Sequence, residues 1–299
     1  MIARSPNYMV GLFCGLAVPF IWGAWIVTSR FGVTQSMTAY DITALRVGVG
    51  SLIVLPIMLK YGFSGLSLYR GFIISIGAGA PFALASFTGM AIAPVAHAGV
   101  FTNGSLPIFT AIFGFFWLSE KPGYKRIFAI ATLVLGGVIL ASESVTQAYV
   151  ASQFFGDLLL ILAGAIFALY LTTLRKWQPE IIQTIVVVPV ISAVIYLPIW
   201  LFFLPSDLLH GNTFPPWQEF ALQAGFQGAI ASVLVVILLT KATKSISPTT
   251  IAVFLSAAPA LAVILGVFIL YELPTKLEWI GLTITTIGML LAIDRKPIA

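Results

Sequence analysis

The residues that could do chemistry in this chain are polar or aromatic side chains inside long apolar segments. In the segment at 95–118, Asn103 shares one helical face with small and polar residues, namely Gly99, Thr110 and Gly114. An amide in apolar surroundings needs a hydrogen-bonding partner, so the pattern predicts that Asn103 binds a polar solute. A seam between two helices is the alternative, because small residues let helices approach and an amide can bond across them.

Aromatic residues in several apolar segments could stack on a planar or cationic ligand. Trp22 and Trp25 lie close on one face of the first segment, and Phe167 and Tyr170 hold corresponding positions later in the chain. Phe87 lies in the third segment. We predict ligand contacts for Trp22, Trp25, Phe87 and Tyr170. Packing between helices, or a belt of aromatic residues at the interface with water, is the alternative.

Two amides share a face of the eighth segment. Gln223 and Gln227 are four residues apart, which places them on one side of a helix. Gln227 lies deep in the segment, where an uncharged amide suits the recognition of a polar solute, and it is predicted to bind one. A hydrogen bond to a neighbouring helix explains the amide equally well.

Four charged residues are predicted to serve gating or structure. Asp41 follows Thr38 by three residues, as in a capping box, and an acid there is favoured by the helix dipole. Arg46 is deeper in the same segment, and gating, binding of an anionic group and bonding to backbone carbonyls all remain open for it. Glu120 and Glu272 each stand two residues before a proline at the end of an apolar stretch. We expect each to make a contact from its helix end to the other half of the chain, with Lys121 or Arg126 near Glu120.

Several kinds of site are not expected. Cys14 is the only cysteine, which excludes an intramolecular disulfide and a metal site built on thiolates. His97 and His210 are too few and too scattered for a metal cluster, so no metal, cofactor or catalytic residue is predicted. No acidic residue is expected in the middle of the segments that would line a pathway, which disfavours tight proton coupling.

The composition identifies lipid as the solvent for most of the surface. The 299 residues are 60% hydrophobic and 8% charged, with a mean hydropathy of +1.05, whereas an ordinary soluble domain carries about 25% charged residues. A helix that crosses a bilayer needs about 20 mostly apolar residues. Ten such segments, spans 1 to 10, can be drawn at about 8–29, 37–59, 71–91, 95–118, 124–142, 156–174, 181–203, 217–240, 248–271 and 277–293.

The basic residues outside the apolar segments predict the orientation. With the N-terminus in the cytoplasm, the inner side receives Arg4, Lys60, Arg70, Lys121, Lys125, Arg126, Arg175, Lys176, Lys241, Lys244, Arg295 and Lys296, and the outer side receives Arg30 and Lys276. Both termini are therefore expected in the cytoplasm. The net charge of +5 then serves topology, and no nucleic-acid partner is predicted.

The chain contains two copies of one unit. The stretch 107–122, PIFTAIFGFFWLSEKP, returns 152 residues later at 259–274 as PALAVILGVFILYELP, with its prolines, a glycine and a glutamate in register. A second offset of 145 relates span 1 to span 6 and matches Arg30 with Arg175. A repeat at a fixed offset indicates a repeated structural unit.

The repeat predicts the architecture. Each copy holds five spans, and because five is odd, the second copy must enter the membrane upside down. Inverted repeats of this kind are common in secondary transporters. The predicted fold is all-α: a polytopic membrane protein whose ten transmembrane helices form two inverted five-helix repeats, residues 1–147 and 148–299.

These motifs resemble the drug/metabolite transporter superfamily, specifically the EamA-type permeases with ten spans. The resemblance rests on Pro-x6-Gly-x5-Glu-x-Pro at 107–122 and 259–274, with Trp22-Gly23, Arg46 and Gly136-Gly137. It implies a pathway between the two units, lined by spans 1, 3 and 4 and by spans 6, 8 and 9. Spans 5 and 10 are implied to pack at the periphery or to form the contact of a homodimer.

The resemblance also implies a function. We expect a secondary transporter in a bacterial inner membrane that exports or exchanges a small metabolite such as an amino acid, nucleobase, amine or drug. Its expected partners are this small-molecule substrate and the lipid bilayer. A channel or a structural membrane subunit is the alternative. An intramembrane enzyme would need a nucleophile beside a base, and the sequence offers no such pair, so no enzymatic activity is predicted.

Overall fold

The computed structural model describes residues 6–146, 150–211, 214–243, 245–246 and 248–293. All regular secondary structure within these ranges is helical. The boundary predicted between the repeats, and both chain termini with their predicted cytoplasmic location, fall outside the ranges. The bounds of the two repeats therefore stay a prediction.

In the described ranges, nine helical segments are long and apolar enough to cross a bilayer, and a tenth of 16 residues completes the predicted set. Spans 1 to 5 are Pro6–Gln35, Ala39–Tyr61, Leu68–Ala78 with Ala80–Ile92, Val95–His97 with Ala98–Thr102 and Asn103–Leu118, and Tyr124–Thr146. Spans 6 to 10 are Val150–Trp177, Ile181–Phe203, Trp217–Gln223 with Ala224–Leu234 and Val235–Thr243, Pro248–Leu255 with Ala258–Ile269, and Lys276–Leu291.

The third and fourth spans of each repeat are irregular inside the membrane. Span 3 is interrupted at Gly79, and span 9 is interrupted between Leu255 and Ala258. Spans 4 and 8 contain π-helical turns, Ala98–Thr102 and Ala224–Leu234. Irregular backbone at membrane depth is tolerated where it is buried in protein or lines a cavity. In transporters with inverted repeats, such broken helices form the binding site.

The packing of the spans follows the inverted repeat. Span 1 packs against spans 8 and 9, and span 6 packs against spans 3 and 4. Span 2 likewise packs against spans 7 and 8, and span 7 against spans 2 and 3. Exchanging the two repeats leaves this pattern unchanged. Spans 1, 8 and 9 form what we call the first bundle, and spans 3, 4 and 6 form the second bundle, so each bundle combines helices from both repeats.

Spans 5 and 10 stand apart from the two bundles. They pack mainly against each other. Gly136 and Gly281 lie at this contact, because a side chain on either would meet backbone of the opposite helix at 2.9 Å. The two glycines therefore let the helices approach closely, as small residues commonly do in membranes.

The ends of spans 4 and 9 are built in the same way. Ser119 and Tyr271, 152 residues apart, both have a left-handed backbone, with φ of 57° and 58°. The next residues, Glu120 and Glu272, each donate the backbone N–H to the carbonyl of a glycine six residues earlier, at 3.0 and 3.3 Å. This helix ending places the two carboxylates just past the last turn, on opposite faces of the membrane.

One connection differs between the repeats. Spans 2 and 3 are joined by residues 62–67, whereas spans 7 and 8 are joined by residues 204–216, seven residues more. The longer connection contains the short helix Asp207–His210. It accounts for the change of the repeat offset from 145 in the first spans to 152 in the fourth.

Candidate functional site

We name the two membrane faces after Arg30 and Arg175, which lie near the ends of spans 1 and 6. Spans 1, 3, 5, 7 and 9 end at what we call the Arg30 face, and the even-numbered spans begin there. The even-numbered spans end at the Arg175 face. Depth is counted from these faces along the helices, at about 1.5 Å per residue.

An aromatic cluster joins spans 1, 3 and 6. The rings of Trp25 and Phe82 are stacked, with centroids 5.8 Å apart and an angle of 17° between them. Phe167 lies 5.1 Å from Phe82 and meets Trp22 edge-on at 6.4 Å. Tyr170 lies 5.3 Å from Phe167. The cluster therefore connects the first spans of both repeats through the third span of the first repeat.

The aromatic cluster lies at the middle of the membrane. Trp25 and Phe82 are each ten residues from the end of their helix at the Arg30 face, which is about 15 Å. Phe167 is ten residues from the Arg175 face, again about 15 Å. Since the hydrocarbon core is about 30 Å thick, the three rings meet near its midplane, beside the irregular parts of spans 3 and 8.

The four aromatic residues predicted to contact a ligand are thus brought together. Trp22, Trp25 and Tyr170 belong to the cluster, and Phe87 lies 6.0 Å from Trp25 with its side chain fully buried. Asn103 lies half-buried beside the π-helical turn of span 4, where its amide nitrogen donates to the carbonyl of Gly99 at 3.1 Å. Ligand contact for these residues stays a prediction.

The amides of span 8 bond to span 1. Trp25 Nε1 donates to Gln227 Oε1 at 2.8 Å. Gln227 Nε2 donates to Ser29 Oγ at 3.0 Å and to Gln223 Oε1 at 3.2 Å. Gln223 Nε2 donates to the carbonyl of Thr28 at 2.6 Å. Both amides are fully buried, and they form hydrogen bonds between spans 8 and 1 inside the first bundle. A solute contact for Gln227 stays a prediction.

Arg46 reaches the aromatic cluster from span 2. Its guanidinium carbon lies 5.9 Å from the ring centroids of both Trp25 and Phe82. The residue is half-buried and begins about 10 Å below the Arg30 face. Arg46 forms no ion pair with any carboxylate in the part of the chain that the structure describes. Cation–π contacts contribute about 0.5–2 kcal/mol each, but they leave the positive charge in place.

Asp41 is not available as the partner of Arg46. Thr38 and Asp41 exchange the two hydrogen bonds of a capping box at the start of span 2. The Asp41 carboxylate also accepts from Trp200 Nε1 at 3.0 Å and Ser206 Oγ at 2.5 Å. The backbone N–H of Asp207 donates to it at 2.9 Å. Asp41 is therefore saturated with donors and fastens the longer connection of the second repeat to span 2.

An ion pair closes over the site at the Arg30 face. Arg30 Nε lies 2.8 Å from Glu272 Oε1. Arg30 also donates to the carbonyl of Met90 at 2.6 Å, and Glu272 accepts the backbone N–H of Val95 at 2.8 Å. The pair belongs to the first bundle, whereas Met90 and Val95 belong to spans 3 and 4 of the second. These two hydrogen bonds therefore fasten the bundles together at this face.

The repeat places a related ion pair at the opposite face. Arg175 pairs with Glu120, and Arg126 lies 3.8 Å from the same carboxylate. The Arg175 and Glu120 side chains are 45% and 33% exposed, whereas those of Arg30 and Glu272 are 16% and 26% exposed. The two pairs are equivalent in the inverted repeats, but the pair at the Arg30 face is the more buried.

A buried ionic cluster joins spans 4, 6 and 10 near the Arg30 face. His97 Nδ1 lies 2.7 Å from Asp157 Oδ1, and His97 Nε2 lies 3.2 Å from Glu278 Oε1. Gln153 Nε2 lies 3.1 Å from the same His97 nitrogen. Since the three ionisable side chains bond one another directly, they form a structural network, and no metal site is found among the described residues.

Sequence reasoning expected each glutamate to contact the other half of the chain, but it missed Arg30 and Arg175 as their partners and missed this cluster altogether. The signal for the pairs was present, because an arginine and a glutamate are both duplicated near span ends. The duplication was read as arginine matched with arginine, whereas the contact joins an arginine of one repeat to a glutamate of the other. For the cluster, the only signal is that His97, Asp157 and Glu278 all lie close to the start of an even-numbered span.

Known proteins match the whole of this architecture. The family model described as the EamA-like transporter family matches residues 9–142 and again residues 154–293. A solved crystal structure is similar over 97% of this chain and 97% of that chain, with a TM-score of 0.62 and 17% identity. An identity this low shows a shared fold alone. No curated protein matches the chain.

Proposed function

The chain belongs to the EamA-like transporter family, and we propose that it is a secondary transporter that exports or exchanges a small metabolite. The two bundles rock against each other, so that a central site opens to one membrane face at a time. The aromatic cluster and the broken spans around it supply that site. Breaks in paired spans mark the binding site in transporters with inverted repeats, which supports this assignment.

The observation that carries the proposal is the pair of repeat-related ion pairs on opposite faces. In the present state, Arg30 and Glu272 hold the second bundle through Met90 and Val95. These bonds cross between the bundles, so they must break before the Arg30 face can open. The related pair at the other face stands ready to seal that face in the opposite state. Two inverted repeats that exchange conformations give both states from one fold.

We also propose an orientation. The Arg175 face is cytoplasmic, both termini lie in the cytoplasm, and the membrane is the inner membrane of a bacterium. Of the 15 Lys and Arg residues, all but Arg30, Arg46 and Lys276 are assigned to that side. This excess supports the orientation, because short cytoplasmic connections carry most of the basic charge. The closed Arg30 face is then the outer face, and an exporter must close that face when it loads its solute from the cytoplasm.

The test is flux through the purified full-length protein in proteoliposomes. Amino acids, nucleobases, amines and organic acids are offered to vesicles with and without the same solute inside. We expect at least one solute to cross with saturable kinetics and faster when the opposite side also contains it. Flux that never exceeds that of empty vesicles, or that rises without saturation as through a channel, contradicts the proposal.

A reversible crosslink sharpens this test. Cys14 is the only native cysteine, so Val95→Cys and Glu272→Cys can be combined in a Cys14→Ala background. Oxidation should join spans 4 and 9 at the Arg30 face and abolish flux, and reduction should restore it. The Val95→Cys variant alone, treated in the same way, is the control. Unchanged flux after complete crosslinking would contradict alternating access through this face.

A further inference from the structure

We propose that the transported solute is an organic anion with a planar apolar body, and that Arg46 binds its anionic group beside the aromatic cluster. This inference rests on the proposed function, because it assigns the chemistry of the solute that the central site carries. It assigns Arg46 to solute binding, rather than to gating or to bonding backbone carbonyls.

Arg46 carries an uncompensated positive charge. A cation at membrane depth is costly and normally pairs with an acid or with carbonyl groups. Other buried charges in the described part of the chain follow this rule, since Asp157 contacts His97 and Asp41 accepts several hydrogen bonds. Among the described residues, Arg46 makes cation–π contacts with Trp25 and Phe82 and forms no ion pair. The missing negative charge is therefore assigned to the solute.

The groups around Arg46 favour a ligand of a particular shape. A guanidinium can hold a carboxylate with two parallel hydrogen bonds, which fixes the orientation of the bound group. The ring centroids of Trp25 and Phe82 each lie 5.9 Å from the guanidinium carbon of Arg46, and Phe167 extends the aromatic surface 5.1 Å beyond Phe82. Aromatic rings favour offset or edge contacts with another ring. A flat apolar body attached to the carboxylate can thus insert beside the stack.

Ser86 supplies a further hydrogen-bond donor on the helical face of Phe82. Ser86 is one helical turn from Phe82 in span 3 and so shares its face. Its hydroxyl is fully buried and has no hydrogen-bonding partner among the described residues. An unpaired hydroxyl in apolar surroundings is unfavourable, and a carboxylate bound at Arg46 could accept a hydrogen bond from it.

The same groups disfavour cations and zwitterions. An ammonium group would need an acceptor with negative charge near the cluster, and Asp41 is occupied by its five donors. The carbonyl oxygen of Gln227 accepts from Trp25 and its amide nitrogen donates to Ser29. An amine or an amino acid would therefore carry an unpaired ammonium into the site, whereas an aromatic carboxylate would not.

The experiment measures binding to the full-length protein in nanodiscs at pH 7 with matched probes. Benzoate and indole-3-acetate are the anions, benzamide and indole-3-acetamide the neutral isosteres, and benzylamine and tryptamine the cations. A ligand that binds only the folded state raises the melting temperature, and at equal concentration a tighter ligand raises it more. We expect the two anions to raise it and to bind at least about tenfold more tightly than their isosteres, as the loss of a charge-assisted hydrogen bond implies.

Variants locate the anion at Arg46. Arg46→Gln should weaken binding of benzoate and indole-3-acetate at least about tenfold, and Arg46→Lys should retain part of the affinity. Arg70→Gln is the control, because Arg70 is exposed and also contacts an aromatic ring, that of Trp177 at 5.7 Å. If Arg46→Gln does not fold, the order of the six probes on the native protein still decides the question.

The outcomes separate this inference from the proposed function. Equal binding of acids, amides and amines, no binding of either acid, or acid binding that Arg46→Gln retains, overturns the anion site. Saturable flux of a neutral or cationic solute that persists in Arg46→Gln overturns it too, while the transporter assignment stands. Tight acid binding with no flux of any solute would support the anion site but contradict the transporter assignment.

Discussion

Replacing Glu272 by glutamine should open the Arg30 face. The side chain keeps its size but loses the charge that holds Arg30 and the backbone N–H of Val95 at 2.8 Å each. Of the two contacts that Glu272 makes, the bond to Val95 crosses between the bundles, as does the bond from Arg30 to Met90. The ion pair with Arg30 lies within the first bundle, so its loss affects both states and contributes less to the balance between them.

The magnitude follows from these contacts. A hydrogen bond to a charged group contributes about 1.5–3 kcal/mol and a neutral one about 0.5–1.5 kcal/mol. Glutamine therefore weakens the bond to Val95 by about 1–1.5 kcal/mol. The pair is only 16% and 26% exposed, so solvent does little to replace the lost contact. We expect the closed state to lose about 1–1.5 kcal/mol, which is a shift of about 5- to 13-fold toward the state with an open Arg30 face.

Thiol labelling in nanodiscs can measure this shift without knowing the solute. Cys14 is replaced by alanine, and Ser86→Cys provides one thiol, buried in span 3 on the Arg30 side of Phe82. In Glu272→Gln the labelling rate with a polar maleimide should rise about 5- to 13-fold. Glu120→Gln, the repeat-related change at the other face, is the matched control and should not raise it.

Two results would refute this reasoning. Equal labelling rates in the native protein and in Glu272→Gln would mean that the ion pair does not hold the face closed. An equal increase in Glu120→Gln would mean that either substitution merely loosens the fold. Arg30→Gln should also raise the rate, and combining it with Glu272→Gln should add little, because the two residues act through one contact.

Three further substitutions test the packing around the site, each by thermal unfolding of the purified protein. His97→Ala should cost about 3–5 kcal/mol, since it leaves two buried carboxylates without their partner; His210→Ala, at an exposed position, should cost little, and equal losses would contradict the network. Gly77→Ala should cost about 1–3 kcal/mol, because a side chain there would meet the backbone of span 6 at 2.8 Å, whereas Gly123→Ala meets nothing within 4 Å and should be neutral. Trp25→Phe should cost about 1–3 kcal/mol, because a fully buried amide in span 8 loses its donor; an unchanged melting temperature would exclude that bond.

The architecture could be predicted from the sequence because it depends on properties that repeat. Apolar length gives the spans, and the copy at 259–274 gives the duplication. An odd number of spans per copy then requires inversion. The aromatic contacts were also within reach, because Trp22 and Phe167 occupy matched positions in spans 1 and 6, and the structure brings their rings together.

The contacts that close the faces could not be predicted from the sequence, for a physical reason. A repeat aligns like with like, so it matches Arg30 with Arg175 and Glu120 with Glu272. The contacts instead join Arg30 to Glu272 and Arg175 to Glu120, because span 1 packs against the fourth span of the other copy. That exchange of partners depends on how the copies pack, which no offset within the sequence expresses. The ionic cluster at His97 has no repeating pattern at all.

The division between repeated and unrepeated residues also separates two roles in the proposed mechanism. Both faces must close in turn, so the residues that close them are needed twice, and the ion pairs are duplicated. A solute that lacks twofold symmetry needs only one copy of each residue that binds it in the central site. Span 7 has no cation at the matching position, because aligning the ends of spans 2 and 7 places Val188 there and the offset of 145 places Ile191 there, both apolar. We therefore expect substitutions at the ion pairs to shift which face is open, whereas substitutions at Arg46 should lower solute affinity equally from both faces. A change at Arg46 that altered thiol labelling at Ser86→Cys in the absence of solute would contradict this division.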